Sequence, residues 1–280
     1  MTARRRVVLS SKNEAVMIQP TPDPDINLLL QALLAGAQSV LGARFTGLCL
    51  HGSLAYGDFE PQRSDIDFLV VTEDELAAEI VAGLKEMHAR LTASGMKWAG
   101  VLEGSHIPRQ ALRRFDPAHC HHPALRVDGS FDIDGHGSEW IIQRYIIREK
   151  GITLAGPLPQ TLIDPVTPEQ LRGAAAGILF EWWEPQVTDH SRLQSDEYQA
   201  YAVLTMCRAL YTFEFATVGS KPVAARWARE IAGGRWSTLI ARALAWGHGD
   251  VMNSLDETLA WIRFTIEKAR QVTSSAKIGG

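Results

Sequence analysis

The sequence predicts an α+β chain: an N-terminal α/β domain with a mixed sheet over residues 1–157, then a C-terminal all-α helical bundle over residues 158–280. Three observations carry that expectation. Short apolar or β-branched runs alternate with helical periodicity in the first half, and a Gly156-Pro157-Leu158-Pro159 junction follows. Beyond Asp164-Pro165 no alternating run occurs, and every apolar pattern has helical spacing.

Asp23 and Asp25 flank Pro24 ahead of Leu28, Leu29, Leu33, Leu34, Ala37 and Val40, a capped stripe that predicts a helix ending near Gly42. Thr46 to His51 and Ile66 to Val71 read as neighbouring strands, separated by a stretch rich in Gly, Asp, Pro and Ser. After Glu73, the residues Leu76, Ile80, Leu84, Met87 and Leu91 recur at helical spacing, and Trp98 to Glu103 reads as a third strand. Asp116 to Gly137, with its prolines, glycines and histidines, reads as a long irregular excursion. Glu139 to Glu149 is helical again. Amphipathic stretches near 168–183, 196–217, 222–232, 236–246 and 250–271 then supply the bundle. Pockets favour domain interfaces, so a cleft is expected between the halves.

Composition limits the partners. With 46% hydrophobic and 21% charged residues the chain can bury a substantial core. A net charge of −4, from 28 Lys and Arg against 32 Asp and Glu, lacks the positive field of a duplex-binding protein, so no nucleic-acid partner is expected. Cys49, Cys120 and Cys207 are too few and too scattered for a disulfide framework or a CxxC zinc site, which points to a reducing cytoplasm. At the start, Arg4, Arg5 and Arg6 precede only Val7, Val8 and Leu9, too short for a signal-peptide core. Ile26 to Ala43 has marginal membrane length, but Asn27, Gln31, Gln38, Ser39 and two glycines interrupt it, so no membrane partner is expected.

The chemistry concentrates at the first two strands. His51-Gly52-Ser53 closes one, and Ser64-Asp65-Ile66-Asp67 opens the next. Strand alternation puts Asp65 and Asp67 on one face, about 7 Å apart along the strand. Such a pair is costly to bury without a counter-charge, and Mg²⁺ is typically held by one or two carboxylates plus substrate phosphates. Gly52 lets the backbone approach a bulky anion; Ser53 adds a hydroxyl and an amide donor, and Ser64 is a second phosphate donor. A two-metal clamp of this kind suits phosphoryl or nucleotidyl transfer. Asp-x-Asp alone is commonplace, and the specificity lies in its combination with Gly-Ser and a strand-loop-strand context. No GxxxxGK[ST] occurs, which argues against a P-loop ATPase. Zinc at His119-Cys120-His121-His122 is disfavoured because adjacent residues do not readily converge on one ion. Asp132-Ile-Asp134 follows Gly129-Ser130 without a phosphate-cradling loop, and reads as a hairpin or an excursion near the site.

These residues resemble the nucleotidyltransferase superfamily, whose signature is Gly-Ser, a spacer and Asp-x-Asp. The further order Glu103, Gly156-Pro157, Val203-Leu-Thr-Met-Cys-Arg-Ala-Leu-Tyr211 and Lys221-Pro-Val-Ala-Ala-Arg-Trp-Ala228 is similar to the streptomycin/spectinomycin adenylyltransferases over most of the chain, roughly 45–270. The resemblance implies a polymerase beta-like nucleotidyltransferase domain followed by a helical bundle, and Mg²⁺-dependent transfer of AMP from ATP to an aminoglycoside hydroxyl with release of pyrophosphate, conferring resistance. It implies Asp65 and Asp67 as ligands of two Mg²⁺ ions, Ser53 and Ser64 near the phosphates, and Glu103 as catalytic base, a role that chemistry supports because a sugar hydroxyl is a poor nucleophile. It places Arg208 and Lys221 on the triphosphate, and Glu139 on the nucleotide. Trp236 is a candidate for the adenine, with core packing as the alternative. In Glu181-Trp-Trp-Glu-Pro-Gln-Val-Thr-Asp189 the alignment slips: Trp183 and Asp189 become the candidate drug contacts, with ordinary helix packing the alternative for the tryptophans, and Asp196 and Glu197 compete for a further acidic role. The chain is expected to act as a monomer. Two other readings stay open: a nucleotidyltransferase with a different acceptor (a metabolite, a protein side chain or an RNA end), and a non-catalytic, antitoxin-like nucleotide binder.

Overall fold

The computed structural model describes residues 19–247 and 249–278; the basic start from Arg4 to Leu9 lies outside the described residues. Helix α1 (Pro24–Leu41) starts where Asp23 accepts hydrogen bonds from the amides of Asp25 and Ile26, and it ends at Gly42. It is long and apolar enough to cross a bilayer by length alone. Here its stripe of Ile26, Leu29, Leu30, Leu33, Ala37 and Leu41 is buried against the sheet.

The chain continues through β1 (Phe45–Leu50), α2 (Gly52–Tyr56), β2 (Ile66–Thr72), α3 (Ala78–Thr92), β3 (Leu102–Pro108), α4 (Arg109–Arg113), β4 (His121–Leu125), β5 (Phe131–Gly135), α5 (Glu139–Lys150), β6 (Ile152–Ala155) and α6 (Pro159–Leu162). The strands form one mixed sheet in the order β5-β4-β3-β2-β1-β6. Only β2 and β3 run parallel.

Two expectations need correction, and one strand had none. The third strand begins at Leu102, because Trp98 takes a left-handed φ of 74° and Ala99–Val101 is a 3₁₀ turn; Glu103 therefore opens its strand instead of closing it. The segment read as irregular contains the hairpin β4–β5, whose glycine serves the turn: the Arg126 amide donates to the Ser130 carbonyl at 2.9 Å, and Gly129 has φ 80°. Strand β6, four residues long, was too short to show a pattern.

Alternation along β2 divides the core. Ile66, Phe68 and Val70 face α1 and α3, while Leu69 and Val71 face Ala111, Leu112, Ile147 and Leu162 on the other side. Period two puts Asp67 on that second face at the strand's opening.

The helical half comprises α7 (Pro168–Ile178), a π-helical turn (Leu179–Trp183), α8 (Glu184–Thr188), α9 (Asp196–Phe215), α10 (Lys221–Ala232), α11 (Gly234–Ala245) and α12 (Leu255–Ile278). Its core centres on α9, where Val203, Met206, Cys207 and Leu210 are buried with Trp183 and Trp261. Hydrogen bonds join the halves. Tyr56 donates its hydroxyl to the Val218 carbonyl at 2.8 Å, Tyr145 and Thr217 share one at 2.8 Å, Arg63 donates to the Leu244 carbonyl at 2.9 Å, and Ser138 donates to Glu181 at 2.9 Å.

Five histidines are buried in the N-terminal half: His51, His88, His106, His122 and His136. His88 and His106 lie against Phe68 and Phe131, their Nε2 atoms 3.3 Å apart, and His122 lies beside His136. Burial pushes His88 down to about 3, His106 and His122 to about 4, and His136 to about 2. The fold thus favours neutral imidazole over the unfolded value near 6.5. This contribution is fully present above about pH 6.5 and is lost as the pH falls toward the folded values, at up to about 1.4 kcal/mol per pH unit per group. Urea unfolding followed by tryptophan fluorescence should show the midpoint falling between pH 7 and pH 5. The double variant His88→Leu/His106→Leu should fall less steeply over the same range.

Candidate active site

The parallel register of β2 and β3 makes Asp67 and Glu103 direct neighbours, so two carboxylates stand side by side on one face. Asp65, two residues earlier, and Asp134 on β5 add their charges to the same place. The Glu103 carboxyl is pushed up to about 7, first by burial, then by repulsion from Asp67, Asp65 and Asp134, with Lys221 acting against it.

Gly52 opens α2 directly against this pair. Its φ is 57°, and a Cβ built there would stand 1.8 Å from Asp67 Oδ2. Only glycine lets the turn pass so close to the carboxylate. The turn is also tied to β2 by the His51 amide, which donates to the Asp67 carbonyl at 3.1 Å. Next in the chain, Ser53 Oγ is buried with no hydrogen-bond partner. Ser64 instead accepts from the Glu60 amide at 2.9 Å, which closes the loop before Asp65.

The second domain supplies the cations. Ser220 caps α10 and accepts from the Val223 amide, which sets Lys221 at the helix start. The Lys221 ammonium is crowded by protein though solvent still reaches it. Burial and Arg208 lower its pKa, while Asp67, Asp65 and Glu103 oppose that shift. Arg208 donates from Nε to the Gly219 carbonyl at 3.2 Å and belongs to the same group. Sequence reasoning missed Tyr201, whose ring lies 5.5 Å from Lys221 Nζ and whose hydroxyl feels Arg208 and Glu103. Its position seven residues, or two helical turns, before Arg208 was the available signal.

Other expected residues lie elsewhere. Trp183 is 1% exposed and packed in the helical core. The π-helical turn shifts the helix face by one residue, so Trp182 is the exposed partner, its indole N–H donating to the Tyr198 hydroxyl at 3.0 Å with Arg192 over its ring. Asp196 accepts from the amides of Met252 and Asn253, each at 2.9 Å, and so anchors the loop before α12. Asp189 is exposed and accepts from the Ser191 amide at 3.2 Å. Trp236 packs on Trp261 and Phe264 at the edge of the helical core, in line with the core-packing alternative. Glu139 accepts from the Gly137 amide at 2.8 Å at the start of α5, and it lines a cavity shared with Asp67 and Glu103.

The donors suit a hard divalent cation: carboxylate oxygens, an orphaned serine hydroxyl and a backbone opened by Gly52. Among the described residues no group of three or more His, Cys, Asp or Glu is placed to hold a metal by itself. An ion here would complete its shell with water and phosphate oxygens, as Mg²⁺ usually does.

Residues 42–98 match the family model described as nucleotidyltransferase domain, in keeping with the carboxylates and the Gly-Ser turn found there. The protein is an enzyme of the nucleotidyltransferase class. Residues 161–270 match the model for the C-terminal domain of aminoglycoside adenylyltransferase. Over these two stretches the chain is similar to the aminoglycoside adenylyltransferase family. Its fold is similar to that of the spectinomycin adenyltransferase AAD(9) from Enterococcus faecialis, solved with ATP and spectinomycin, at a TM-score of 0.67 and 15% identity over 86% of this chain and 98% of the other. No curated protein matches the chain in sequence.

Replacing Gly52 with Ala must displace either the turn or Asp67. Turnover should fall by at least about a hundredfold while thermal stability drops by only about 1–3 kcal/mol, the usual cost of a strained backbone. Steady-state rates and a melting curve on the same preparation check both parts.

Proposed function

We propose that this enzyme transfers AMP from ATP to a hydroxyl of an aminoglycoside, with streptomycin and spectinomycin as the candidate acceptors, and releases pyrophosphate. The observation that carries this reading is the convergence of Asp65, Asp67 and Glu103 from the sheet with Arg208 and Lys221 from the bundle. A non-catalytic nucleotide binder has no use for a third carboxylate held beside the first two.

Asp65 and Asp67 are the residues that would hold Mg²⁺, which when bound would neutralise triphosphate charge and polarise the phosphorus under attack. Lys221 and Arg208 bind the phosphate oxygens from the opposite side and hold the departing pyrophosphate charge. Ser53 offers its unpartnered hydroxyl to the same phosphates. Neutralising Asp65 and Asp67 would ease the like-charge part of the rise at Glu103, which burial leads, and so favour the ionised carboxylate that accepts a proton. Glu103 takes the acceptor's hydroxyl proton as the oxygen attacks the α-phosphorus. Tyr201 lies beside Lys221, its ring 5.5 Å from the ammonium, within electrostatic reach of Glu103.

Incubation with ATP, Mg²⁺ and a panel of aminoglycosides should release pyrophosphate and yield a product heavier by one AMP in mass spectrometry. No release with any member would overturn the acceptor assignment. In the Glu103→Gln variant, kcat should fall about 10²–10⁴-fold, the usual worth of a general base, with the KM for ATP nearly unchanged. Asp67→Asn should abolish turnover in a protein that still folds, and activity persisting near the normal rate would refute the metal assignment.

A further inference from the structure

Beside Asp67 and Glu103 lies a cavity of about 280 Å³, close to the lower bound for small-ligand pockets. One wall is the pair His136 and Trp140, stacked with ring centroids 3.6 Å apart. Asp134, Glu139 and Arg126, from the β4–β5 hairpin and the start of α5, line it as well, together with Ser105 and Gln143. Two lining imidazoles are more than nine-tenths buried: His51 at 6% exposure and His136 at 4%, each with an Nδ1 atom lacking a hydrogen-bond partner. Buried polar atoms without partners are costly, and a ligand carrying hydroxyls can compensate them after a small shift.

The balance of charge is acidic. Asp67, Glu103, Asp134 and Glu139 face one cation, Arg126. That cation sits at the mouth, where it donates to Asp134 and, at 3.3 Å, to the Ser130 hydroxyl. Its second carboxylate, Asp132, is 3.9 Å from Nη1, outside the cavity lining, and shares Lys85 at 3.7 Å. Arg126 can therefore give up Asp134 without losing an anionic partner.

Resting on the aminoglycoside reading above, we infer that Arg126 is a displaceable latch on the acceptor pocket. An ammonium group of a compact, cationic, hydroxylated acceptor takes Asp134 from it, and Arg126 moves across to Asp132. The acceptor's ring then lies against the Trp140 and His136 wall with a hydroxyl toward Glu103. Arg126 and Asp134 are specificity residues: they choose acceptors by charge, and neither touches the reacting phosphate.

The two ends of the latch have opposite signs, which a merely structural ion pair would not. With an aminoglycoside that the wild type modifies, Asp134→Asn should raise the acceptor KM about tenfold, since it removes the anionic subsite. Arg126→Gln should lower that KM severalfold, because a competitor for Asp134 is gone, and the double variant should resemble Asp134→Asn. The KM for ATP should stay within about twofold throughout, and an N-acetylated form of the acceptor should be insensitive to both substitutions. If both single variants raise the acceptor KM, or neither moves it by more than about twofold, the latch is refuted while the aminoglycoside reading stands. If the wild type modifies no aminoglycoside, that reading falls and the latch falls with it.

Discussion

The structure is organised around the repulsion between Asp67 and Glu103. Parallel pairing of β2 with β3 fixes them as neighbours, and Asp65 and Asp134 add to the crowding. Like charges held this closely in a partly dry cleft are unfavourable, and burial first, then the repulsion of Asp67, Asp65 and Asp134, raises the Glu103 carboxyl toward about 7. The chain tolerates it because the sheet leaves the strands no freedom to separate: Phe68, Leu69, Val70 and Val71, immediately after Asp67, are buried on both faces. Rigid packing thus stores a local demand for positive charge.

Two sources of that charge explain why the domains depend on each other. Divalent metal and the triphosphate's own counter-ions serve one side. Lys221 and Arg208 serve the other, and both come from the helical half. Their placement rests on the short segment between α9 and α10, which Tyr56 and Tyr145 of the first half hold through Val218 and Thr217. Tyr56 lies on α2, the same turn that Gly52 opens against Asp67. The element that cradles the phosphates therefore also positions the bundle's cations, and a shift in one would be felt by the other.

What the sequence revealed follows from the kind of signal each element emits. The order of strands and helices was legible because β2 is buried on both faces and α1, α3 and α9 carry long apolar stripes. Asp65 and Asp67 stood out by their spacing beside Gly-Ser, whereas Glu103 stood out only through the family resemblance, and the register of β2 with β3 is what sets it beside Asp67. The β4–β5 hairpin was half legible: Gly129-Ser130 before Asp132-Ile-Asp134 allowed a hairpin or an excursion, but Pro123 interrupts one strand and the other alternates an exposed Ile133 with aspartates, so neither presents an apolar face of ordinary length. Trp183 and Asp196 misled for a different reason. A tryptophan or an aspartate has the same identity whether it faces a ligand or the core, and the π-helical turn at 179–183 exchanges the two faces without any sequence mark.

That contrast separates two layers of the site. Asp67 and Glu103 stand on the central strands, beside a glycine turn, where the backbone admits little substitution. The residues that line the rest of the cavity stand on the hairpin at the sheet edge and on α5. Edge positions are paired on one side only, so their side chains can change with little cost to the core. Selection for a new acceptor would act there, by exchanging charges such as Arg126 and Asp134, while the Asp67–Glu103 register stayed in place. On the proposed reading, the transferred group is therefore tied to the core of the sheet and the acceptor to its edge.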